Sequence, residues 1–461
     1  MFIFGVLIFA FYDPIEWDYY PMEGVERFYG EVEGPDRVVL VEDRYKSGLA
    51  RLDLITNAEE TLDISYYTFH EGTSLDIFLA SVLDAADRGV EVRIMLDGLF
   101  HNLRGDLKDV FYVFYQHPNI ELRLYEPLNL IKPWTLNNRL HDKFIIVDGE
   151  KVLLGGRNIG DKYFAPDPEK YDGLVSNDRD VLVINTEPKN NSNSVVYEVK
   201  DYFELLWEHQ YTQQPIKELS DRQKRKGNQK EKNLLANLEM AKEKDPQRFE
   251  KEFDWLEKSY PTNQVSLTHN PLTRFNKEPW VWKDITQLME RAEHTIFIQS
   301  PYLIPTTDMY RYLEPKQIDA DIEVLTNSVA TSSNYFAMSG HIRNRKKIVD
   351  LGADVFEYQG EGTVHAKSYI FDNRISMVGS FNLDFRSTFL STETMLVIDS
   401  PQFAEHLKKE VDNYISDSLL LEQKDYDYAY SQDTEKKEVP WLKKIVIKLL
   451  SIIMYFFDFM L

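Results

Sequence analysis

The stretch HDKFIIVD, His141 to Asp148, returns in the second half of the chain as HAKSYIFD, His365 to Asp372. Each sets a lysine two residues after a histidine and an aspartate at the far end of an apolar block. Such a block reads as a buried strand, and on a strand residues two apart share a face. His141 and Lys143 are therefore expected to point the same way, as are His365 and Lys367. Asp148 and Asp372 fall on the other face or in the turn, where holding a neighbouring element by hydrogen bonds or a salt bridge is their expected role. An imidazole beside an ammonium suits an anion, the lysine offering charge to phosphate oxygens and the histidine a nucleophile or a proton.

The repetition extends in both directions. Upstream, NAEETLDISYYTF matches RAEHTIFIQSPYLIP, VEVRIMLDG matches DIEVLTNS, and IELRLYE matches ADVFEYQ. Helical periods alternate with short strands in each copy, the pattern of an α/β layer structure. Supersecondary order repeated over this span means a duplicated domain, so two lobes are expected, each a mixed β-sheet flanked by helices, related by a pseudo-twofold axis. The boundaries read as 1–40 for an apolar lead-in, 41–212 and 276–432 for the lobes, 213–275 for a charged helical insertion, and 433–461 for an amphipathic C-terminal helix. In the insertion, Leu234, Leu235 and Leu238, then Phe249, Phe253 and Leu256, recur at helical spacing, so it is expected to cover a lobe edge or the mouth of a cleft. Its basic run Lys224, Arg225 and Lys226 reads either as a solvated face or as a contact for anionic headgroups.

Downstream of each histidine an asparagine follows at the same distance, Asn158 in GGRN and Asn382 in GSFN, each three residues past a glycine, Gly155 or Gly379. An amide donor at such a strand-to-loop turn can bind a phosphoryl oxygen as charge builds on it. Farther on, DVLVINTEP from Asp180 and ETMLVIDSP from Glu393 align without a gap. A carboxylate there is expected to accept a hydrogen bond from its own lobe's histidine and fix the tautomer. His70, His101, His117 and His209 occur in no comparable setting.

Composition limits the alternatives. The 461 residues carry a formal charge of -23, which disfavours a protein that wraps a nucleic-acid backbone. With no cysteine, thiolate-bound zinc, iron–sulfur clusters and cysteine nucleophiles are excluded. A lysine facing the site also disfavours a bound dication, and no metal is expected. Both ends are unusually apolar. MFIFGVLIFAFY is shorter than the roughly 20 residues of a spanning helix, and reads as an interfacial anchor or the stub of an upstream membrane segment. WLKKIVIKLLSIIMYFFDFML places Lys443, Lys444 and Lys448 ahead of or within an apolar run. It reads as a basic amphipathic helix in a membrane interface, or as a helix closing the core or an oligomer contact.

The paired His-x-Lys-x4-Asp motifs resemble the signature of the phospholipase D superfamily, which stands once per lobe. The GGRNIGDKYF and GSFNLDFRSTFLSTETMLVID runs and the lysine-bearing tail are similar to bacterial cardiolipin synthases, closest to the form without two N-terminal transmembrane helices. The resemblance implies phosphoryl transfer through a covalent phosphohistidine without a cofactor, from His141, Lys143, Asp148, His365, Lys367 and Asp372. His141 would be the nucleophile and His365 the acid and base, with Asn158 and Asn382 binding phosphate and Asp180 and Glu393 orienting the histidines. It implies phospholipid substrates at the anionic inner surface of a bacterial cytoplasmic membrane, bound peripherally or by the tail, and cardiolipin as the product. A hydrolytic phospholipase D or, less favoured by the acidity and the apolar tail, a nuclease would use the same residues.

Overall fold

Two runs of strands build two mixed sheets of the same topology. A computed structural model describes residues 24–165, 171, 173–188, 193–246, 249, 253–313, 318–423 and 427–455. The first compact unit takes in residues 35–173 and 179–260. It contains β1 (Asp36–Val41), α1 (Arg44–Thr56), β2 (Thr61–Tyr66), α2 (Thr73–Asp87), β3 (Glu91–Asp97), α3 (Val110–Gln116), β4 (Ile120–Tyr125), β5 (Lys143–Val147), β6 (Lys151–Gly155), β7 (Asp180–Asn185), α4 (Val195–Trp207) and α5 (Asp221–Lys244). Leaving aside two-residue edge strands, the sheet order is β1-β7-β6-β5-β2-β3-β4. β2, β3 and β4 run parallel, and β5 joins them antiparallel. Helices cover both faces of β5, so all five of its residues are buried, which is why KFIIV reads as an unbroken apolar run rather than an alternating one.

The second unit comprises residues 174–178 and the chain from 261 onward, with a segment preceding Pro35. Its elements are β8 (Gln264–His269), α6 (Trp280–Arg291), β9 (Thr295–Gln299), β10 (Asp321–Asn327), α7 (Tyr335–Asp350), β11 (Asp354–Tyr358), β12 (Ser368–Phe371), β13 (Ile375–Gly379), β14 (Thr394–Asp399), α8 (Pro401–Ser416), β15 (Ser418–Leu420) and α9 (Trp441–Ile453). The order β8-β14-β13-β12-β9-β10-β11-β15 repeats the first sheet, β15 standing where the two-residue strand Thr212–Gln213 pairs with β4.

Three boundaries differ from expectation. The first sheet opens at Asp36, within the expected lead-in, because β1 pairs with β7 along its whole length. β8 pairs fully with β14, so the second unit begins at 261, not 276. The charged insertion belongs to the first unit. Ser220 and Gln223 form a capping box at the start of α5, and Leu234 and Leu238 bury completely in the first core. Trp255 Nε1 donates to Asp53 at 2.5 Å and so returns the chain to α1. Leu256, expected on the apolar face, is instead exposed. Lys226 of the basic run pairs with Asp109 at 3.4 Å.

At the C-terminus, α9 docks by one side only. Ile447 is buried, Lys443 Nζ donates to the Ala330 and Ser332 carbonyls at 3.1 and 2.8 Å, and Arg343 of α7 donates to the Ser451 carbonyl at 2.6 Å. The opposite face leaves Leu442, Ile445, Leu449 and Ile452 exposed beside Lys444 and Lys448. The helix thus has a docked side, as a helix closing the core would, and an open apolar side. Among the described residues no helix is long and apolar enough to cross a membrane. The Met1–Tyr12 apolar stretch and the last six residues lie outside the described residues.

The two motif aspartates do the same structural work in each unit. Both sit at positive φ, 53° and 50°, in the turn that ends β5 or β12. Asp148 accepts the backbone N–H groups of Glu59, Glu60 and Thr61, the last two at 2.8 and 2.9 Å. Asp372 accepts those of Glu293, His294 and Thr295 at 2.9, 2.8 and 2.9 Å. Each carboxylate thus fixes the entry of the neighbouring antiparallel strand, β2 or β9. Burial of Asp372 opposes ionisation, but the three amides outweigh it and hold its pKa below the usual aspartate value. Because the folded pKa is depressed, this stabilisation is present above the ordinary aspartate range and lost as pH falls through the lowered value. Asp148→Ala and Asp372→Ala are each expected to cost about 1–2 kcal/mol at neutral pH. Urea unfolding should show the Asp372→Ala deficit shrinking in acid.

Candidate active site

β5 begins at Lys143, paired with Tyr66 of β2, and the next residue of that neighbouring chain, Tyr67, forms the floor of the first half-site. The His141 ring meets the Tyr67 ring edge-on at 5.0 Å between centroids, and Lys143 Nζ stands 5.4 Å from the centre of the same ring. The two side chains therefore share a face, as the alternation predicts. Asp142, between them, points the other way and accepts from Tyr202 of α4 at 2.9 Å. Lys143 is buried and donates to the His141 carbonyl. Asn158 is buried beside Tyr163, with Nδ2 to Oη 3.2 Å, and its Oδ1 has no partner among the described residues.

The second half-site repeats this and adds acidic partners. Lys367 is fully buried and donates to the His365 carbonyl. Its Nζ also lies 2.9 and 3.3 Å from the two ring nitrogens of His365. Asp178 Oδ2 is 2.5 Å from His365 Nδ1. A carboxylate can only accept, so Nδ1 carries the proton toward Asp178 and Nε2 is the nitrogen left for chemistry. A short parallel ladder between Ser176–Asn177 and Thr363–Val364, with the His365 N–H on the Asn177 carbonyl at 2.6 Å, brings Asp178 to the ring. Asn382 Oδ1, like its counterpart in the first unit, is buried with no partner among the described residues. Burial pushes the Lys367 pKa down to about 8, against the opposing pull of Asp178, Glu393 and Asp384. Burial also raises Asp384 to about 7, and Glu393 adds to that rise.

Glycines at the ends of β6 and β13 let the asparagine turns form. A Cβ on Gly155 would overlap the Arg179 carbonyl and Asp180, and one on Gly379 would overlap the Thr394 carbonyl.

The carboxylate assignment needs correcting. Asp180 is fully buried between two arginines: Arg51 donates at 3.0 Å to each oxygen, Arg157 at 2.8 Å, and Ser47 Oγ at 2.7 Å. Burial opposes its ionisation, but the two guanidiniums hold its pKa below the usual range. Asp180 ties α1 to the GGRN turn and does not orient a histidine. Strand register explains the misassignment. Gly155 faces Asp180 across the β6–β7 ladder, whereas the equivalent Gly379 faces Met395, two residues beyond Glu393. The structural counterpart of Glu393 is thus Asp178. A shift of two on a strand keeps every side chain on its face, so the gapless alignment of apolar residues did not reveal it. Nor is Glu393 the partner of His365 Nδ1, which Asp178 occupies; Glu393 accepts from Ser380 Oγ at 2.5 Å. The NDRD sequence at Asn177–Asp180 carried the missed signal, since its two aspartates are both candidates.

A family model described as cardiolipin synthase, phospholipase D-like domain, matches residues 52–207 and 285–415. The chain belongs to this family. Each matched segment spans one copy of the His-x-Lys strand and its asparagine turn. Cardiolipin synthase C of Escherichia coli K12 is 28% identical over 422 residues, covering 78% of this chain and 80% of the relative. An uncharacterized protein of Helicobacter pylori is 28% identical over 452 residues, covering 88% and 86%. The crystal structure of a phosphatidylserine synthase from Haemophilus influenzae superposes with a TM-score of 0.62 at 15% identity, covering 92% of this chain and 95% of that one. That likeness is one of fold.

The Lys367 environment makes a direct prediction. Removing the Asp178 charge withdraws one of the groups that raise the Lys367 pKa, so Asp178→Asn should lower it further. NMR titration of 15N-lysine protein, assigned by the signal missing in Lys367→Met, should find a midpoint near 8 in the parent and a lower one in Asp178→Asn. A midpoint above 10 in the parent would contradict the burial.

Proposed function

We propose that the protein is a phospholipase D-type phosphatidyltransferase that makes cardiolipin from phosphatidylglycerol and a second phospholipid. The observation that carries the reading is the repeated half-site, a histidine backed by a buried lysine and an asparagine amide with an unmatched buried end. A phosphodiester answers each need. Its oxygens accept from the lysine ammonium, and if the asparagine amide is turned, its nitrogen donates to a phosphoryl oxygen. For Asn158 the turned oxygen would still accept from Tyr163 Oη. The family supports the lipid, as does the exposed apolar face of α9 with Lys444 and Lys448 beside it, the pattern of a helix lying in an anionic membrane surface.

In this reading one phosphodiester is served by both histidines. An imidazole nitrogen of His141 bonds to phosphorus as the bond from phosphorus to the glycerol oxygen breaks, and His365 gives its Nε2 proton to that oxygen. Asp178 favours the imidazolium from which such a donor must start. The hydroxyl of the second phospholipid then attacks phosphorus, its proton passes to His365, and the bond to His141 breaks. Lys143, Lys367, Asn158 and Asn382 hold the oxygens on which charge collects. Asp148 and Asp372 act from a distance, by fixing the strands that carry the histidines. No step calls on a metal.

A hydrolytic phospholipase D differs only in taking water for the lipid hydroxyl, and product analysis separates the two. Purified protein in vesicles of labelled phosphatidylglycerol, with and without phosphatidylethanolamine, is expected to yield cardiolipin by lipid mass spectrometry, undiminished by a strong chelator. His141→Ala and His365→Ala should each lose at least about a thousandfold in turnover. Phosphatidic acid as the sole product would favour hydrolysis, and full activity in either variant would refute the assignment.

A further inference from the structure

The first unit displays large apolar side chains on turns built around the segment that leads into His141. Leu130 is 73% exposed and Ile131 is 89% exposed, at the centre of the Asn129–Lys132 turn, with Leu128 partly exposed beside them. Turn centres ordinarily carry glycine, proline or small polar residues. This one is held rigidly instead. Asn129 Oδ1 accepts the N–H groups of Ile131 and Lys132 at 2.9 and 3.2 Å, and Thr135 Oγ1 donates to the Lys132 carbonyl at 2.7 Å. Phe100, on a neighbouring loop, is also exposed.

One buried ion pair joins these loops to the catalytic strand. Arg139 Nη1 donates to Asp97 Oδ1 at 3.1 Å, with both side chains buried. Asp97 also accepts the N–H groups of Leu99 and Phe100 at 2.8 and 2.6 Å, and that of Leu140 at 3.0 Å. Arg139 Nη2 donates to the Glu126 and Thr135 carbonyls, at either end of the apolar turn, at 2.6 and 2.5 Å. The Phe100 ring meets Tyr67 at 5.5 Å, and Tyr67 meets His141 at 5.0 Å. One continuous set of contacts therefore links the exposed apolar groups to His141.

We propose that Phe100 and the Leu128–Ile131 turn insert into the surface of an anionic phospholipid bilayer and seat His141 at the headgroup level. The claim rests on the lipid substrate proposed above and goes beyond it in naming a second membrane contact, separate from α9. A bilayer suits this surface better than a protein does. The exposed apolar groups are four side chains on two loops, whereas a stable protein interface buries on the order of 1,000 Å² or more. Exposed Lys132 adjoins the tip in a chain of charge -23, so the local sign suits anionic headgroups although the overall sign does not. A headgroup phosphate must also come to His141, and an inserted rim brings the reacting atoms to the lipid without lifting it from the membrane.

The absence of cysteine makes the test simple, because one introduced thiol can be labelled alone. Ile131→Cys, carrying an environment-sensitive fluorophore, should shift to the blue with phosphatidylglycerol vesicles and be quenched by brominated acyl chains. Glu59→Cys, at the opposite end of β5 beside Asp148, should do neither. A double Leu130→Ser, Ile131→Ser variant should lose about tenfold or more in turnover on vesicles, since each inserted side chain favours the bilayer substantially. Its turnover on monomeric short-chain phosphatidylglycerol should match the parent's. An unshifted label on vesicle-bound protein would overturn the insertion while leaving the transferase reading intact. So would a label that responds to protein concentration without lipid, which would mark a contact between copies. Equal loss on both substrates would place the residues in acyl-chain binding instead, and would also refute the proposal.

Discussion

A lysine held out of water immediately behind a histidine is the constraint on which each half-site turns. Lys143 and Lys367 have almost no exposure, and each donates back to the carbonyl of its own histidine. Burying an ammonium is costly unless its donors find acceptors, and the depressed pKa of Lys367 registers that cost. An anion in the site would recover it. In the proposed reading that anion is a phosphate, met in the same way in each half-site. Much of the surrounding fold keeps the half-sites fixed: central strands buried on both faces, aspartates that clamp the strand entries, and glycines that let the asparagine turns close.

The acidic residues near these sites do different work according to what surrounds them. Asp180, between two buried arginines, is a structural counter-ion. Asp178, two residues away and facing a histidine, sets a tautomer. Asp384 caps the turn after GSFN through the Ser387 N–H at 2.7 Å, and burial raises its pKa. Position in sequence predicts none of these differences, because each depends on which cation or amide the fold brings opposite the carboxylate.

The sequence disclosed the duplication, the two sheets and the histidine–lysine pairs, because each depends on local period and spacing. HDKFIIVD and HAKSYIFD carry their geometry within eight residues, and the repeated order of strands follows from the apolar runs between turns. What it did not disclose depends on pairing between distant segments. The sequence pairs His365 with Glu393 of its own lobe, whereas the Ser176–Asn177 ladder to Thr363–Val364 brings Asp178 to the ring, and a two-residue slip in register, which leaves the apolar pattern unchanged, hides Asp178 as the counterpart of Glu393. The sequence places the start of the second unit late, at 276, because β8 reveals itself only by pairing with β14. The hub of Asp97 and Arg139 had no signature at all, since neither residue lies in a motif and both act through backbone groups of several loops.

Trapping the covalent intermediate tests the two-step chemistry most directly. Protein mixed with phosphatidylglycerol labelled in its phosphate, quenched in alkali and digested, should yield an acid-labile phosphohistidine on the peptide containing His141 and none from His141→Ala. Label on the peptide containing His365 would reverse the roles of the two histidines. Turnover with no label on either peptide would contradict a covalent phosphohistidine route.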